Sequence, residues 1–152
     1  DSKAKKDAFD SPVLIALNSS WDSAALGLHQ ILQNSAEWLI YTIRYLLDNT
    51  SAHVIVRQHP AERLEIGRTT DDYKKFLDDK IGSHPRLHFI SAWDEVNSYD
   101  LLSSVSAVVA YTTTLGIEAA ALGKFGVTES NAYYAYLGFI KKANTTFHDE
   151  EF

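Results

Sequence analysis

The sequence predicts an α/β protein: a doubly wound, mostly parallel sheet of about five strands with helices on both faces. Three observations lead there. Short continuous apolar runs such as "VLIAL", "HVIV" and "AVVA" have the pattern of strands buried on both faces. Segments of helical periodicity alternate with them along almost the whole chain. Small polar residues, Asn18, Ser19 and Ser20 above all, follow the first run, as they do where a parallel strand opens into a loop at its carboxyl end.

The elements follow in order. Residues 1–11, "DSKAKKDAFDS", are polar and mixed in charge and read as a linker or fraying start. Residues 12–152 are expected to form one domain, cut from a longer protein. "PVLIALNSS" is the first strand and its loop. "NSAEWLIYTIRYLLDNT" is the clearest helix, with Asn34 or Ser35 as cap and Glu37 in the first turn, where the helix dipole favours a carboxylate. Its apolar residues cover more than one face, which predicts a largely buried helix. "AHVIVRQHP" is the second strand, stopped by Pro60. "DDYKKFLDDKIG" is an amphipathic helix with Gly82 past its end. "RLHFIS" is a third strand, "WDEVNSYDLLSSV" a short helix, "SAVVAY" a fourth strand, "TTLGIEAAALGK" a helix and "FGVT" a fifth strand. "NAYYAYLGF" reads as helix or loop.

Composition narrows the function classes. With 152 residues, 45% apolar and 22% charged, the chain is an ordinary globular domain. It has no cysteine, which removes disulfides, zinc–thiolate sites and thiol nucleophiles. Its net charge of −6 disfavours general nucleic-acid binding, whose affinity comes largely from cations on phosphate. No apolar run is long enough to span a bilayer, and the opening residues lack the pattern of a secretory signal.

Ligands of such sheets bind beyond the carboxyl ends of the strands. Three segments fall there: "NSSWD", "RQHPAER" and "YTTTLG". Thr112, Thr113 and Thr114 admit two readings. Their hydroxyls can cap the first turn of the following helix, or join its N–H groups in holding an anion. Glu118, among small apolar residues, needs a partner such as a ribose hydroxyl, a backbone N–H or a base. His59 projects at the end of a central strand, where Pro60 turns the chain away. Arg57 and Arg63 are candidates to line the site, although alternation can also put Arg57 on the opposite strand face, and Arg63 and Arg68 would supply local positive charge. Asn18, Ser19 and Ser20 line a site or form a turn, and nothing pairs Asp22 with a substrate.

Several signatures are absent. There is no GxGxxG, no GxSxG, and "LGKF" is not a phosphate-binding P-loop, because Phe125 stands where Ser or Thr belongs. His84 and His88 are four apart, but Pro85 and the strand pattern argue against a helical metal pair. No metal site or cofactor is expected.

"NSSWDSA", "WLIYTIRYLLDNTSAHVIVRQHPAE" and "YDLLSSVSAVVAYTTTLGIEAAALGK", followed by "YYAYLGF", together resemble the carboxyl-terminal half of bacterial capsule polysaccharide biosynthesis proteins. These look like glycosyltransferases with two Rossmann-like domains, the GT-B type. The resemblance implies a donor domain in which His59 and Pro60 face the nucleotide, Thr112, Thr113 and Thr114 hold phosphate, and Glu118 holds ribose. It implies a nucleotide-sugar donor, CMP-linked by preference and UDP- or CDP-linked otherwise. The polysaccharide or glycolipid acceptor would bind a second, amino-terminal domain, which in this architecture commonly supplies the catalytic base. The implied location is the cytoplasm, at the inner face of the membrane. This sequence departs from the family's Gly-Lys-Pro after the helix, having Lys124, Phe125 and Gly126. The alternatives are a CDP-polyol phosphotransferase, a nucleotide-sugar epimerase, or a non-catalytic interaction domain using the Trp38 helix and Tyr133, Tyr134 and Tyr136.

Overall fold

A computed structural model describes residues 12–18, 35–63, 73–111, 113–128 and 141–142. The strands are β1 (Val13–Ala16), β2 (Val54–Arg57), β3 (Leu87–Ile90), β4 (Ala107–Ala110), β5 (Phe125–Thr128) and β6 (Lys141–Lys142). The helices are α1 (Ser35–Asn49), α2 (Tyr73–Lys80), α3 (Ser98–Ser104) and α4 (Leu115–Ala121), with a 3-10 turn at Pro60–Arg63. All five strands expected from the sequence form. The two residues of β6, which the sequence reading did not assign to a strand, add an edge beside β5.

Every pairing is parallel, and the strand order is β3-β2-β1-β4-β5-β6. The chain winds outward from β1 through β2 to β3. It then returns to the other side of β1 as β4. Between β1 and β4 the winding therefore reverses, the point of such sheets beyond whose carboxyl ends ligands bind.

Alternation along the strands divides the core into two layers. Val13, Ile15 and Leu17 of the first strand region, Val54 and Val56 of β2, and Val109 pack with α1 and Leu77 of α2. Leu14 and Val108 face the other way, with Ile55 packed against them, toward Leu101 and Leu102 of α3 and Ala119 of α4. Strands covered on both faces need apolar residues at every position, which is why β1 is "VLIA" with no polar alternation. The α1 helix is more amphipathic than its sequence suggests. Trp38, Leu39, Ile43 and Leu46 are buried, while Ala36, Glu37, Arg44 and Asp48 face water.

Helix ends are closed by identifiable groups. Gly82 (φ 82°) and Gly123 (φ 71°) take the left-handed conformation just past α2 and α4, where a side chain would be strained. After α4, Gly123 N–H donates to Ala120 O and Lys124 N–H to Ala119 O, at 3.0 and 2.9 Å. Arg86, from the turn before β3, closes α1. Its Nη2 donates to Leu47 O at 2.6 Å, and its Nη1 to Thr50 O and Ala52 O at 2.7 and 3.1 Å. A cation on the last carbonyls of a helix is favoured by the helix dipole, and charged donors make the stronger hydrogen bonds. Arg86→Ala is expected to lower unfolding free energy by about 2 kcal/mol, read as a shift of the urea midpoint. The exposed Lys74–Asp78 pair, at 2.6 Å, is worth far less in comparison.

Candidate functional site at the carboxyl edge of the sheet

Three adjacent strands bring the predicted residues to one edge. Asn18 lies just past β1, His59 and Pro60 just past β2, and Thr113 and Thr114 just past β4. With strands about 4.8 Å apart, the ends of β2, β1 and β4 span about 10 Å. Ser19, Ser20, Trp21, Asp22, Arg68, Thr112 and the tyrosines at 133, 134 and 136 lie outside the described residues.

The β4 end is fixed from two sides. Tyr111 is buried and packs on Trp38 of α1, ring centroids 5.3 Å apart. Its carbonyl accepts a 2.8 Å hydrogen bond from Thr128 Oγ1, a fully buried hydroxyl at the end of β5. The chain thus enters the threonine turn from a rigid anchor. Thr128 was not singled out by the sequence reading. A threonine ending an apolar strand carries no signal beyond β propensity.

Beyond the anchor, the two described threonines behave differently. Thr113 Oγ1 accepts from Leu115 N–H at 3.4 Å, and its carbonyl accepts from Gly116 N–H at 3.3 Å. Thr114 holds the cap position with helical backbone angles (φ −62°, ψ −15°) and makes no side-chain cap bond. Its hydroxyl instead donates to Glu118 Oε1, at 3.4 Å. Capping and the facing of the carboxylate therefore fall to different residues. Both contacts are long for hydrogen bonds. A ribose diol or a phosphate oxygen could displace either at little cost.

At the β2 end, His59 Nδ1 accepts from Ala61 N–H at 3.1 Å, which places the ring's own proton on Nε2. His59 O accepts from Glu62 N–H. The ring is thereby oriented by the turn that Pro60 begins. Beneath it, Gln58 Nε2 donates to the buried Glu62 Oε2 at 2.7 Å, and Gln58 Oε1 accepts from Ala92 N–H at 3.1 Å. Gln58 was missed from the sequence, because a glutamine inside "RQHP" gives no hint of where its amide will bond. Arg63 is exposed on the 3-10 turn.

Arg57 is buried on the α3 face of β2, the face of Ile55. Its Nη1 donates to Ser98 Oγ and its Nη2 to Val96 O, both at 2.9 Å. Burial pushes the guanidinium's pKa down from its ordinary value, because the charged form loses water. Two neutral acceptors offset part of that cost. The cation sits under the edge and ties down the β3–α3 connection, rather than lining the rim.

His84 and His88 do not pair. His84 Nδ1 accepts from Arg86 N–H, while His88 Nε2 shares a 2.9 Å hydrogen bond with His53 Nδ1, near the amino ends of β2 and β3. Among the described residues no group of three or more His, Cys, Asp or Glu could hold a metal ion.

The fold has counterparts in known proteins. The fold matches Thermosulfurimonas dismutans KpsC, a beta Kdo 2,4 transferase, with TM-score 0.61 at 20% identity over 91% of this chain and 39% of that one. It matches the beta Kdo 2,7 transferase of the same KpsC with TM-score 0.58 at 20% identity, over 93% and 41% of the two chains. A crystal structure from Listeria monocytogenes described as a UDP-N-acetylglucosamine 2-epimerase gives TM-score 0.61 at 12% identity, over 92% and 34%. The chain spans about two fifths or less of the length of each. No relative among curated proteins matches it. The model of the capsule polysaccharide biosynthesis proteins matches residues 14–149. That match takes in β2 to β6, all of β1 but Val13, and all three strand ends of the candidate site, and the chain belongs to the capsule polysaccharide biosynthesis protein family.

Proposed function

We propose that the chain is the donor-binding domain of a glycosyltransferase in capsule polysaccharide biosynthesis, and that its donor is a CMP-activated sugar. The observation that carries this reading is the Thr113–Thr114–Glu118 cluster at the end of β4, directly across the winding reversal from β1. Hydroxyls there suit a phosphate, and a carboxylate one helical turn further suits the two ribose hydroxyls. His59 Nε2–H, two strands away, suits the same phosphate from the other side. The buried Arg57 cation behind it adds favourable potential for an anion.

In this reading the domain contributes position and electrostatics. Nucleotide binding presents the sugar–phosphate bond at the carboxyl edge. Hydrogen-bond donors from Thr113, Thr114 and His59 then stabilise the charge that grows on the departing phosphate. The acceptor and the catalytic base belong to a second domain, so this chain alone does not turn over. The names of the KpsC neighbours support a transferase, as does the family. No helix among the described residues is long and apolar enough to cross a membrane. We place the protein in the cytoplasm, meeting its acceptor at the membrane's inner face.

Titration of the folded chain with CMP, CDP and UDP tests the reading. Saturable binding with CMP tightest is expected by calorimetry. Failure of all three at millimolar concentration would sink the nucleotide site. The epimerase neighbour gives a second reading some support, and a clear preference for UDP over CMP would favour it.

A further inference from the structure

Two exposed histidines meet toward the amino edge of the sheet, the edge opposite His59. His53 immediately precedes β2, and His88 is the second residue of β3. Spacing in the sequence draws attention to His84 and His88, but strand register brings His53 to His88 instead. Ile55 pairs with His88 in the parallel ladder, and His53 stands two residues before Ile55, so alternation puts all three on one face.

His53 Nδ1 and His88 Nε2 are 2.9 Å apart, with the ring planes 16° from parallel and the centroids 5.2 Å apart. The centroid separation exceeds the nitrogen contact by about one ring width. Both nitrogens therefore lie near the line joining the ring centres, and the rings meet edge to edge. Both backbones are fixed. His53 O accepts from Val13 N–H of β1 at 2.8 Å, and Val54 N–H donates to Arg86 O at 2.7 Å. His88 sits within the β2–β3 ladder.

In the neutral pair one of these nitrogens donates and the other accepts. Exposed rings have water as an alternative partner, so that hydrogen bond adds little stability. What the arrangement supplies is two imidazole nitrogens, carried on paired strands, aimed at each other and open to water. Zinc, nickel and copper ions favour such donors, whereas magnesium and calcium favour oxygen. The cation nearest in sequence is Arg86. Its guanidinium is directed at Leu47 O, Thr50 O and Ala52 O, three carbonyls at and beyond the end of α1. Those carbonyls offset part of its repulsion of a second cation.

We propose that His53 and His88 form a two-histidine site for a transition-metal ion, zinc above all, which staples the edge strand β3 to β2. Among the described residues no third His, Cys, Asp or Glu joins them, so water completes the tetrahedron. With Zn–N bonds of about 2.0 Å at a tetrahedral angle, the two nitrogens stand about 3.3 Å apart, so the rings part by about 0.4 Å and tilt toward the ion. The χ2 torsion of histidine is soft, and rings in water are free to make this adjustment. The ring that donates in the neutral pair moves its proton to its outer nitrogen by exchange with water. Both facing lone pairs are then available, both rings stay neutral, and no net proton is released. The site does not depend on the nucleotide reading.

Zinc, nickel and magnesium ions are each titrated into the folded chain by calorimetry, with His53→Ala and His88→Thr as variants. Zinc and nickel are expected to bind saturably in the micromolar range, and magnesium not to bind. Each substitution should weaken zinc binding by at least about tenfold. Both side chains are exposed, and threonine suits a strand, so both variants should keep the parent's circular dichroism. Zinc at about ten times its Kd should raise the folding equilibrium constant about tenfold, read as a higher urea midpoint that neither variant shows. In the parent, the NMR signals of His53 Nδ1 and His88 Nε2 should move together as zinc is added, a readout that needs neither variant to fold. The proposal is overturned if zinc does not bind, if either folded variant binds it like the parent, or if those two nitrogens do not respond. Zinc binding that leaves the urea midpoint unchanged also overturns it, because the unfolded chain would then hold the ion equally well.

Discussion

Trp38→Ala is expected to lower the unfolding free energy by about 3–5 kcal/mol, the range for truncating a buried aromatic. Trp38 is 1% exposed, in the first turn of α1, and packs on Tyr111 with the rings tilted by 51°. Its Nε1 has no hydrogen-bond partner among the described residues, so the loss is packing and cavity rather than a broken polar contact. Domains of this size have about 5–15 kcal/mol in total, so the variant should be marginal at room temperature. Trp38→Phe separates the terms. It keeps a ring on Tyr111 and removes the unpartnered N–H, so it should cost about half as much. Urea unfolding measures both. A loss below about 1 kcal/mol for the alanine variant would mean that α1 is not seated as described. Nucleotide binding should weaken along with stability, because Tyr111, packed on Trp38 and bonded to Thr128, anchors the end of β4 from which the threonine turn starts.

That coupling shows what could and could not be read from the residues. Burial on both faces writes itself into a sequence as uninterrupted apolar runs. For that reason β1, β2 and β4 were legible, and the doubly wound sheet with them. Placement at the carboxyl edge then follows from topology, and the structure has His59, Thr113 and Thr114 just past strand ends there. Side-chain partnerships were not legible. Arg57 reads as a site cation in "RQHP", yet it turns toward α3 and holds Val96 and Ser98. Its direction depends on which face Ile55 takes, a fact set by the whole sheet. Gln58, Arg86 and Thr128 bond to backbone far away in sequence, and local pattern carries no trace of such partners. The two-residue β6 is too short to leave any periodicity.

The carboxylate of Glu118 allows the sharpest test of the nucleotide reading. Glu118 is half-buried, and its Oε1 has a long contact to Thr114 Oγ1. Replacing it with alanine should therefore disturb the fold by less than about 0.5 kcal/mol. Its effect on binding should be much larger. Two ribose hydroxyls donating to one charged acceptor are worth about 2–3 kcal/mol, so CMP should bind about 30- to 150-fold more weakly. Removing a negative charge near the phosphate works in the opposite direction, and the raw affinity loss mixes the two effects. A cycle with 2′-deoxy-CMP separates them. The parent chain should prefer CMP to its 2′-deoxy form by about tenfold, since one charge-assisted hydrogen bond is lost. Glu118→Ala should bind both alike. A preference that survives the substitution would place the ribose elsewhere along the edge. If both ligands bind more tightly to the variant, Glu118 merely repels the phosphate, and the threonine turn holds the nucleotide without it.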